Sequence, residues 1–296
     1  MNTKLDGAIV VGVHESVFNG QALRWAAEQA QLDGRALTLV NASGPVSGAY
    51  REYGMDAAPS TSANLQQHGA QLLARARAVV EQAAPGLQVS QRFEVTDPST
   101  LLIELSATAH MLVLGSRGRG PVRSHLLGSV GLAVVRHADC PVVVHRPGGD
   151  SGLEHHGVIV AADATAESMA ALSFAFRQAS LRGLPLRVVH YVYDVRSELV
   201  GAPMVGDLTD TIGEHVRALA ESLAGYRENY PDVKVNVETL RELPEHGLST
   251  LSRQADLTVV GTHQRGVFAR MLAGSVSTSV VEHAQGPVAV VPSPSK

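Results

Sequence analysis

Hydrophobic and polar residues form two kinds of pattern along this chain, and the two kinds follow one another repeatedly. Short apolar runs, partly β-branched and bounded by turn residues, predict β-strands. Longer segments between them carry Ala, Leu, Gln, Arg and Glu at helical spacing and predict α-helices. In the first half, the predicted strands are residues 7–13, 36–40, 87–95, 110–115 and 141–145. The predicted helices there are residues 16–33, 60–84, 98–109 and 129–138.

Strand and helix therefore follow one another in strict alternation. Strands that are apolar on both faces and joined by helices are typical of a parallel sheet covered on both sides. The pattern predicts the α/β class, with a doubly wound, Rossmann-like layer. Asp97 and Pro98 stand before the third helix, where Asp is a favoured N-cap and Pro suits the first turn.

The second half of the chain repeats the first. The segment IVVGVHESVFNGQAL at 9–23 matches VIVAADATAESMAAL at 158–172, and HMLVLG at 110–115 matches DLTVVG at 256–261. Between the halves, HRPGGDSGLEHHG lacks apolar periodicity and predicts a linker. We therefore predict two domains joined by a linker. Their bounds are 1–147 for the first domain, 148–156 for the linker and 157–296 for the second domain.

Composition excludes several classes of protein. The chain has 296 residues, enough for two domains, and its 45% hydrophobic and 18% charged residues are typical of a globular protein. It has no apolar run of the roughly 20 residues that cross a bilayer and no secretory signal, so we expect a soluble, cytoplasmic protein. A net charge of −4 and 4% aromatic residues argue against nucleic-acid binding.

Candidate chemistry outside the repeats is sparse. The single cysteine, Cys140, excludes an intramolecular disulfide, and its place before an apolar run predicts a buried structural thiol. His155 and His156 in the linker favour a solvated pair over a metal site, and we predict no metal ligands. The sequence has no Gly-Lys-Ser/Thr loop, His-Glu-x-x-His motif or G-x-S-x-G elbow, so we do not expect an enzyme.

A glycine-rich loop follows the fourth predicted strand of each half. The first copy reads GSRGRGPVRSHLLGSV at 115–130, and the second reads GTHQRGVFARMLAGSV at 261–276. Glycines allow close backbone approach, and the start of the next helix supplies free N–H donors and a positive dipole end. The arginines of the first copy add charge that complements phosphate. The loop therefore predicts an anion site.

The loop spacing, G-x2-G-x9-G-S, resembles the nucleotide loop of the universal stress protein family, and the resemblance extends over nearly the whole chain. It implies two five-stranded parallel sheets of strand order 3-2-1-4-5. It also implies ATP as ligand, with or without Mg²⁺, and a regulatory role in the stress response. In that family, units pair through the fifth strand. This implies pairing of 141–145 with 287–291, either within the chain or in a homodimer.

In a sheet of that order, ligands bind where the winding reverses, between strands 1 and 4. Together with the family pattern, this implies an adenine-nucleotide site in each half. The implied residues of the first are Gly12, His14, Val40, Gly115, Gly118, Arg119, Gly128, Ser129 and Val130. Those of the second are Asp163, Val189, Gly261, Gly274, Ser275 and Val276.

Each half departs from the family pattern at one position. The first has His14 where the family has aspartate, and the second has Gln264 where the family has a loop glycine. Both changes are open to interpretation as drift in a protein that no longer binds a ligand. Losing one polar contact costs less than placing Gln where a left-handed backbone is needed, so the first half is the better candidate for occupancy.

Three functions remain open from the sequence. The first is a nucleotide-binding regulatory protein without efficient catalysis. The second is an enzyme such as a slow ATPase, and the third is a ligand-free scaffold that acts by oligomerisation. The nucleotide content of the purified protein discriminates among them.

Overall fold

A computed structural model of the chain describes residues 7–15, 19–44, 59–116, 127–146, 157–163, 165–191, 207–262 and 276–293. The chain divides into two compact units, Met1–Pro147 and Gly148–Lys296, which we call unit one and unit two. The predicted linker, 148–156, lies outside the described residues, and each unit is described by itself.

Unit one is a parallel sheet with helices between its strands. The strands are β1 (Ile9–Gly12), β2 (Leu37–Ala42), β3 (Val89–Glu94), β4 (Met111–Gly115) and β5 (Val142–His145). The helices are α1 (Asn19–Asp33), α2 (Pro59–Ala83), α3 (Pro98–Ser106) and α4 (Ser129–His137). Strand β1 pairs with β2 and β4, β2 pairs with β3, and β4 pairs with β5, all in parallel. The order is therefore 3-2-1-4-5.

Unit two repeats this architecture. Its strands are β6 (Val158–Ala161), β7 (Leu186–Tyr191), β8 (Val235–Leu240), β9 (Leu257–Gly261) and β10 (Val288–Val291). Its helices are α5 (Ala166–Arg182), α6 (Asp207–Asn229), α7 (Pro244–Leu251) and α8 (Val276–His283), with a 3₁₀ turn at Ser252–Gln254. The parallel order is β8-β7-β6-β9-β10, which again corresponds to 3-2-1-4-5.

The core of each unit lies on both sides of its central strands. Ile9, Val10 and Val11 of β1 are fully buried, as is Val160 of β6. Apolar side chains alternate between the two faces of a strand, so continuous burial requires helices on both faces. The predicted α/β class and doubly wound architecture are therefore confirmed.

Helix starts follow the local sequence. Asp97 is the N-cap of α3, as predicted: its Oδ1 accepts a hydrogen bond of 2.9 Å from the backbone N–H of Thr100, with Pro98 in the first turn. In the repeat, α7 also begins at a proline, Pro244, but its N-cap is Leu243, which supplies no capping side chain. Unit two has therefore lost a contact that is worth about 1 kcal/mol at such positions.

Cys140 lies two residues before β5 and is buried, as predicted. Burial raises the pKa of its thiol to about 12. Because the thiolate is the reactive form, this cysteine is an inert part of the core at neutral pH.

Candidate functional site

The carboxyl ends of the central strands bring several predicted site residues together in unit one. Gly12 of β1 lies between Val40 of β2 and Leu114 of β4 in the sheet register. The backbone N–H of Val13 donates to the carbonyl oxygen of Val40 at 2.8 Å, so the ladder continues past the end of β1. Gly115 follows Leu114 and ends β4. The edge between strands 1 and 4, where the winding reverses, is where ligands bind in such sheets.

Gly12 itself serves packing at this edge. A Cβ atom there would lie 2.9 Å from Leu114 Cδ2 and 3.5 Å from Leu102 Cδ1 of α3. The absent side chain therefore lets two buried leucines close over the end of β1. It also shows that this face of the sheet is the one that α3 covers.

Helix α4 is the next element after β4 in the chain. No side chain of the described residues caps the backbone N–H groups at its start. Its N-cap, Gly128, has extended backbone (φ −63°, ψ 159°), and no side chain caps the helix among the described residues. A Cβ at Gly128 would meet no atom of the described residues within 4 Å, so none of them packs against this N-cap. Ser129 and Val130 form the first turn. Its free N–H groups and positive dipole end suit an anion.

Some of the predicted residues lie outside the described part of the chain. The structure therefore gives no account of the middle of either glycine loop. The residues concerned are Gly118 and Arg119 in unit one, and Gln264, Gly274 and Ser275 in unit two.

His14 follows β1 by two residues and is half-buried. Burial lowers the pKa of its imidazole below the ordinary value of 6.5. His14 is therefore mostly neutral at pH 7. The adjacent Glu15 contacts His68 of α2, with 2.6 Å between Glu15 Oε1 and His68 Nε2, and this contact connects the segment after β1 to a helix.

Asp163, the counterpart of His14 in unit two, is engaged in a local turn. Its Oδ1 accepts hydrogen bonds from the backbone N–H of Thr165 at 3.1 Å and from Thr165 Oγ1 at 2.6 Å. Thr165 in turn caps α5, because its Oγ1 accepts from the N–H of Ser168 at 3.3 Å. The carboxylate thus supports the start of α5, a structural role that the sequence interpretation did not include.

The remaining predicted residues of unit two occupy places equivalent to those in unit one. Val189 of β7 lies beside Ala161 at the end of β6. Gly261 ends β9, which is the other neighbour of β6. Val276 is the first residue of α8.

Sequence reasoning missed a side-chain-to-backbone hydrogen bond that occurs at the same place in both units. In unit one, Asn41 Nδ2 donates to the carbonyl oxygen of Val13 at 2.8 Å, and both residues are buried. In unit two, His190 Nδ1 lies 3.0 Å from the carbonyl oxygen of Ala162. Since a carbonyl oxygen only accepts, Nδ1 of His190 carries the proton. Each hydrogen bond fixes the backbone just before the candidate ligand residue, His14 or Asp163. A polar residue at the same place in both repeats was the signal available in the sequence.

Two further polar groups of unit one were missed. Ser116 directly follows Gly115 and is 2% exposed, and His145 ends β5 beside Gly115. Neither Ser116 Oγ nor His145 Nδ1 has a hydrogen-bond partner within the part of the chain that the structure describes. Burial lowers the pKa of His145 to about 4. Polar residues at the ends of apolar strands were the signal.

Across the described residues, no group of three or more His, Cys, Asp or Glu side chains is arranged to hold a metal ion. Among those residues, no helix has the length and apolar character needed to span a membrane.

The fold and the strand-end geometry define a class: tandem doubly wound α/β units, with a candidate anion site at the switch point of unit one. The profile of the universal stress protein family matches residues 7–146 and 155–292. The chain belongs to the universal stress protein family.

Relatives of known name agree with this assignment. The chain is 36% identical over 296 residues to a universal stress protein of Mycolicibacterium smegmatis, covering 96% of each chain. It is 37% identical over 290 residues to one from Mycobacterium tuberculosis strain H37Rv, covering 95% of each. The crystal structure of a universal stress protein from Archaeoglobus fulgidus shares the fold, with a TM-score of 0.71 at 18% identity. The match covers 98% of this chain and 97% of that one.

Proposed function

We propose that the chain is a regulatory stress protein that binds an adenine nucleotide in unit one and does not turn it over efficiently. ATP, with or without Mg²⁺, is the proposed ligand. The observation that carries the proposal is the start of α4, which no side chain of the described residues caps and which ends the loop that leaves β4. Pairing through the last strands, a dimeric state and a cytoplasmic location stay predictions.

The start of α4 fits a phosphate group for physical reasons. The first turn of a helix presents N–H groups without internal partners, and the helix dipole favours negative charge there. Side chains such as Ser, Thr or Asp usually satisfy these donors, but Gly128 has none to offer. Among the described residues, no atom lies within 4 Å of where a Cβ of Gly128 would be, so none of them takes the place of a ligand there. The geometry of α4 supports only a bound anion. The choice of an adenine nucleotide with a triphosphate rests on the resemblance of the loop to the family pattern.

We propose that unit two is the weaker or empty site. Gln264 replaces the loop glycine of the family pattern. Asp163 already accepts two hydrogen bonds from Thr165 through one of its carboxylate oxygens. A ligand in unit two would therefore meet a bulkier loop and a partly occupied carboxylate.

The proposal is tested by nucleotide content and by titration. Protein denatured after purification is expected to release adenine nucleotide, and nucleotide-free protein is expected to bind ATP in a calorimetric titration. The substitution Gly118→Gln, which reproduces the residue of unit two, should weaken binding about tenfold or more, because a strained backbone costs ~1 to 2 kcal/mol and ~1.4 kcal/mol is a factor of ten.

The reverse substitution, Gln264→Gly, is the matched variant and should leave the first site intact while improving the second. Unchanged affinity in Gly118→Gln would contradict the placement of the ligand. Absence of any nucleotide binding would favour the ligand-free scaffold, and steady release of ADP would favour an ATPase.

The pH dependence of binding tests His14. Nearby phosphates favour the charged imidazolium, so binding should raise the pKa of His14. Affinity should then increase as the pH falls below the pKa of the bound state and level off below the pKa of the free state. Because burial lowers the free value below 6.5, the increase should continue into mildly acidic solution.

The comparison is between the intact chain and His14→Asp, titrated with ATP from about pH 8 to 5. This interval brackets the reference pKa of histidine, ~6.5, on both sides. A profile for the unaltered chain that matches the variant's would show that His14 does not face the ligand.

A further inference from the structure

We infer that the hydroxyl group of Ser116 is a ligand-binding group of unit one and donates a hydrogen bond to an oxygen atom of the bound nucleotide. This inference rests on the proposed function and adds a residue to its site. It is carried by the burial of Ser116, by its place in the sheet and by the contrast with its counterpart in unit two.

The hydroxyl of Ser116 is a buried polar group that directly follows β4. The residue is 2% exposed, and its Oγ has no hydrogen-bond partner within the described part of the chain. Leaving a polar group in this state costs free energy that a hydrogen bond would recover. Native structures rarely keep such a group without a reason, and a ligand oxygen is one.

The register of the sheet places Ser116 on the ligand side. Side chains two residues apart on a strand point to the same face, and the backbone N–H of Ser116 still donates to His145 as part of the ladder, so Ser116 shares the face of Leu114. Gly12 and Leu114 are neighbours in the register, and both strands continue past their ends through backbone hydrogen bonds.

That shared face is the one covered by the second pair of helices. Leu102 of α3 packs over Gly12, and α3 contacts α4. Ser116 and the uncapped first turn of α4 therefore belong to one side of the sheet, at its carboxyl end. A nucleotide held by that first turn would lie on the side to which Ser116 contributes its hydroxyl.

The counterpart of Ser116 in unit two has a partner of its own. Thr262 Oγ1 accepts a hydrogen bond from the backbone N–H of Ser293 at 3.3 Å, and Ser293 Oγ donates to the carbonyl oxygen of Thr262 at 3.0 Å. In unit two, the hydroxyl at this position therefore has a hydrogen-bond partner in Ser293, which follows β10. In unit one, none of the described residues partners the corresponding hydroxyl of Ser116.

The test is the substitution Ser116→Ala in the full chain, with two measurements. Affinity for ATP should fall about threefold to tenfold, the range expected for one neutral hydrogen bond. The thermal midpoint of the nucleotide-free protein should stay the same or rise, because an unsatisfied buried hydroxyl is removed. Weaker binding together with undiminished stability is a combination that a purely structural role for Ser116 does not produce.

Titration with adenosine separates two possible acceptors. A loss seen with both ATP and adenosine assigns the hydrogen bond to a ribose oxygen, and a loss confined to ATP assigns it to a phosphate oxygen. Either result supports the inference.

The matched control is Thr262→Val, which removes the hydroxyl from the equivalent place in unit two. It should lower the thermal midpoint and leave the affinity of the tight site unchanged. Equal ATP affinity in Ser116→Ala and the unaltered chain would overturn the inference, as would a lowered midpoint in Ser116→Ala. If the unaltered chain binds neither ATP nor adenosine, the proposed function itself fails.

Discussion

Acidification from pH 6.5 to 4 will lower the free energy of unfolding of unit one by about 3 kcal/mol through His145 alone. Burial lowers the pKa of this imidazole from 6.5 to about 4. Between these values the unfolded chain takes up a proton that the folded chain does not. The stabilisation is therefore complete above the unfolded pKa and is lost as the pH falls toward the folded pKa. The lowered pKa of His14 acts in the same direction.

The measurement is urea unfolding at a series of pH values, followed by the fluorescence of Trp25. This is the single tryptophan of the chain and is buried in α1, so its signal reports on unit one. The variant His145→Val carries the residue found at the equivalent place in β10, Val291. Its stability should depend much less on pH.

The control His283→Gln removes an exposed histidine of unit two and should retain the full slope. An identical pH dependence in His145→Val and the unaltered chain would show that His145 is not the group that titrates.

Replacing Gly157 with alanine will destabilise unit two by about 3 kcal/mol or more, the upper range for single substitutions. Gly157 has a φ of +88°, which side chains disfavour. A Cβ atom there would lie 2.3 Å from the carbonyl oxygen of Pro185, a backbone atom that cannot simply rotate away. Gly157 also donates its N–H to Asp256 Oδ2 at 3.0 Å, so a shift at the start of β6 would disturb a second contact.

The variant Gly183→Ala is a matched control for backbone strain. Gly183 has a φ of +63°, but a Cβ there would meet nothing within 4 Å. Its cost should be limited to the ~1 to 2 kcal/mol of a left-handed backbone. Thermal unfolding of both variants, followed by circular dichroism, separates steric overlap from strain. Equal losses in the two variants would refute the steric contribution at Gly157.

Much of the fold could be predicted from the sequence because buried strands require runs of apolar residues, which are visible in the sequence. The apolar run IVVG of β1 predicts a strand buried on both faces, and the repeat predicts a second unit of the same kind. The capping role of Asp97 could also be predicted, because it depends only on residues next to it in the chain.

The site could be predicted only in outline. The glycine loop and the start of α4 at Ser129 were visible as spacing. Whether Asp163 faces a ligand or its own turn depends on side-chain rotamers and on the path of the backbone, which spacing does not encode. The lowered pKa of His145 and the burial of Ser116 arise from packing among residues that are distant in the chain. The roles of the loop residues in binding a nucleotide stay predictions.

The side-chain-to-backbone hydrogen bond formed by Asn41 in unit one and by His190 in unit two bears on how the two copies of a duplicated gene diverge. Codons for Asn and His differ by one nucleotide, and both side chains place an N–H donor at the δ position. In these two units that donor meets the same backbone carbonyl, that of Val13 or Ala162. A mutation between the two residues therefore preserves the bond in a single step. Two copies of a duplicated unit can therefore differ in side-chain chemistry at this point and keep the same backbone contact.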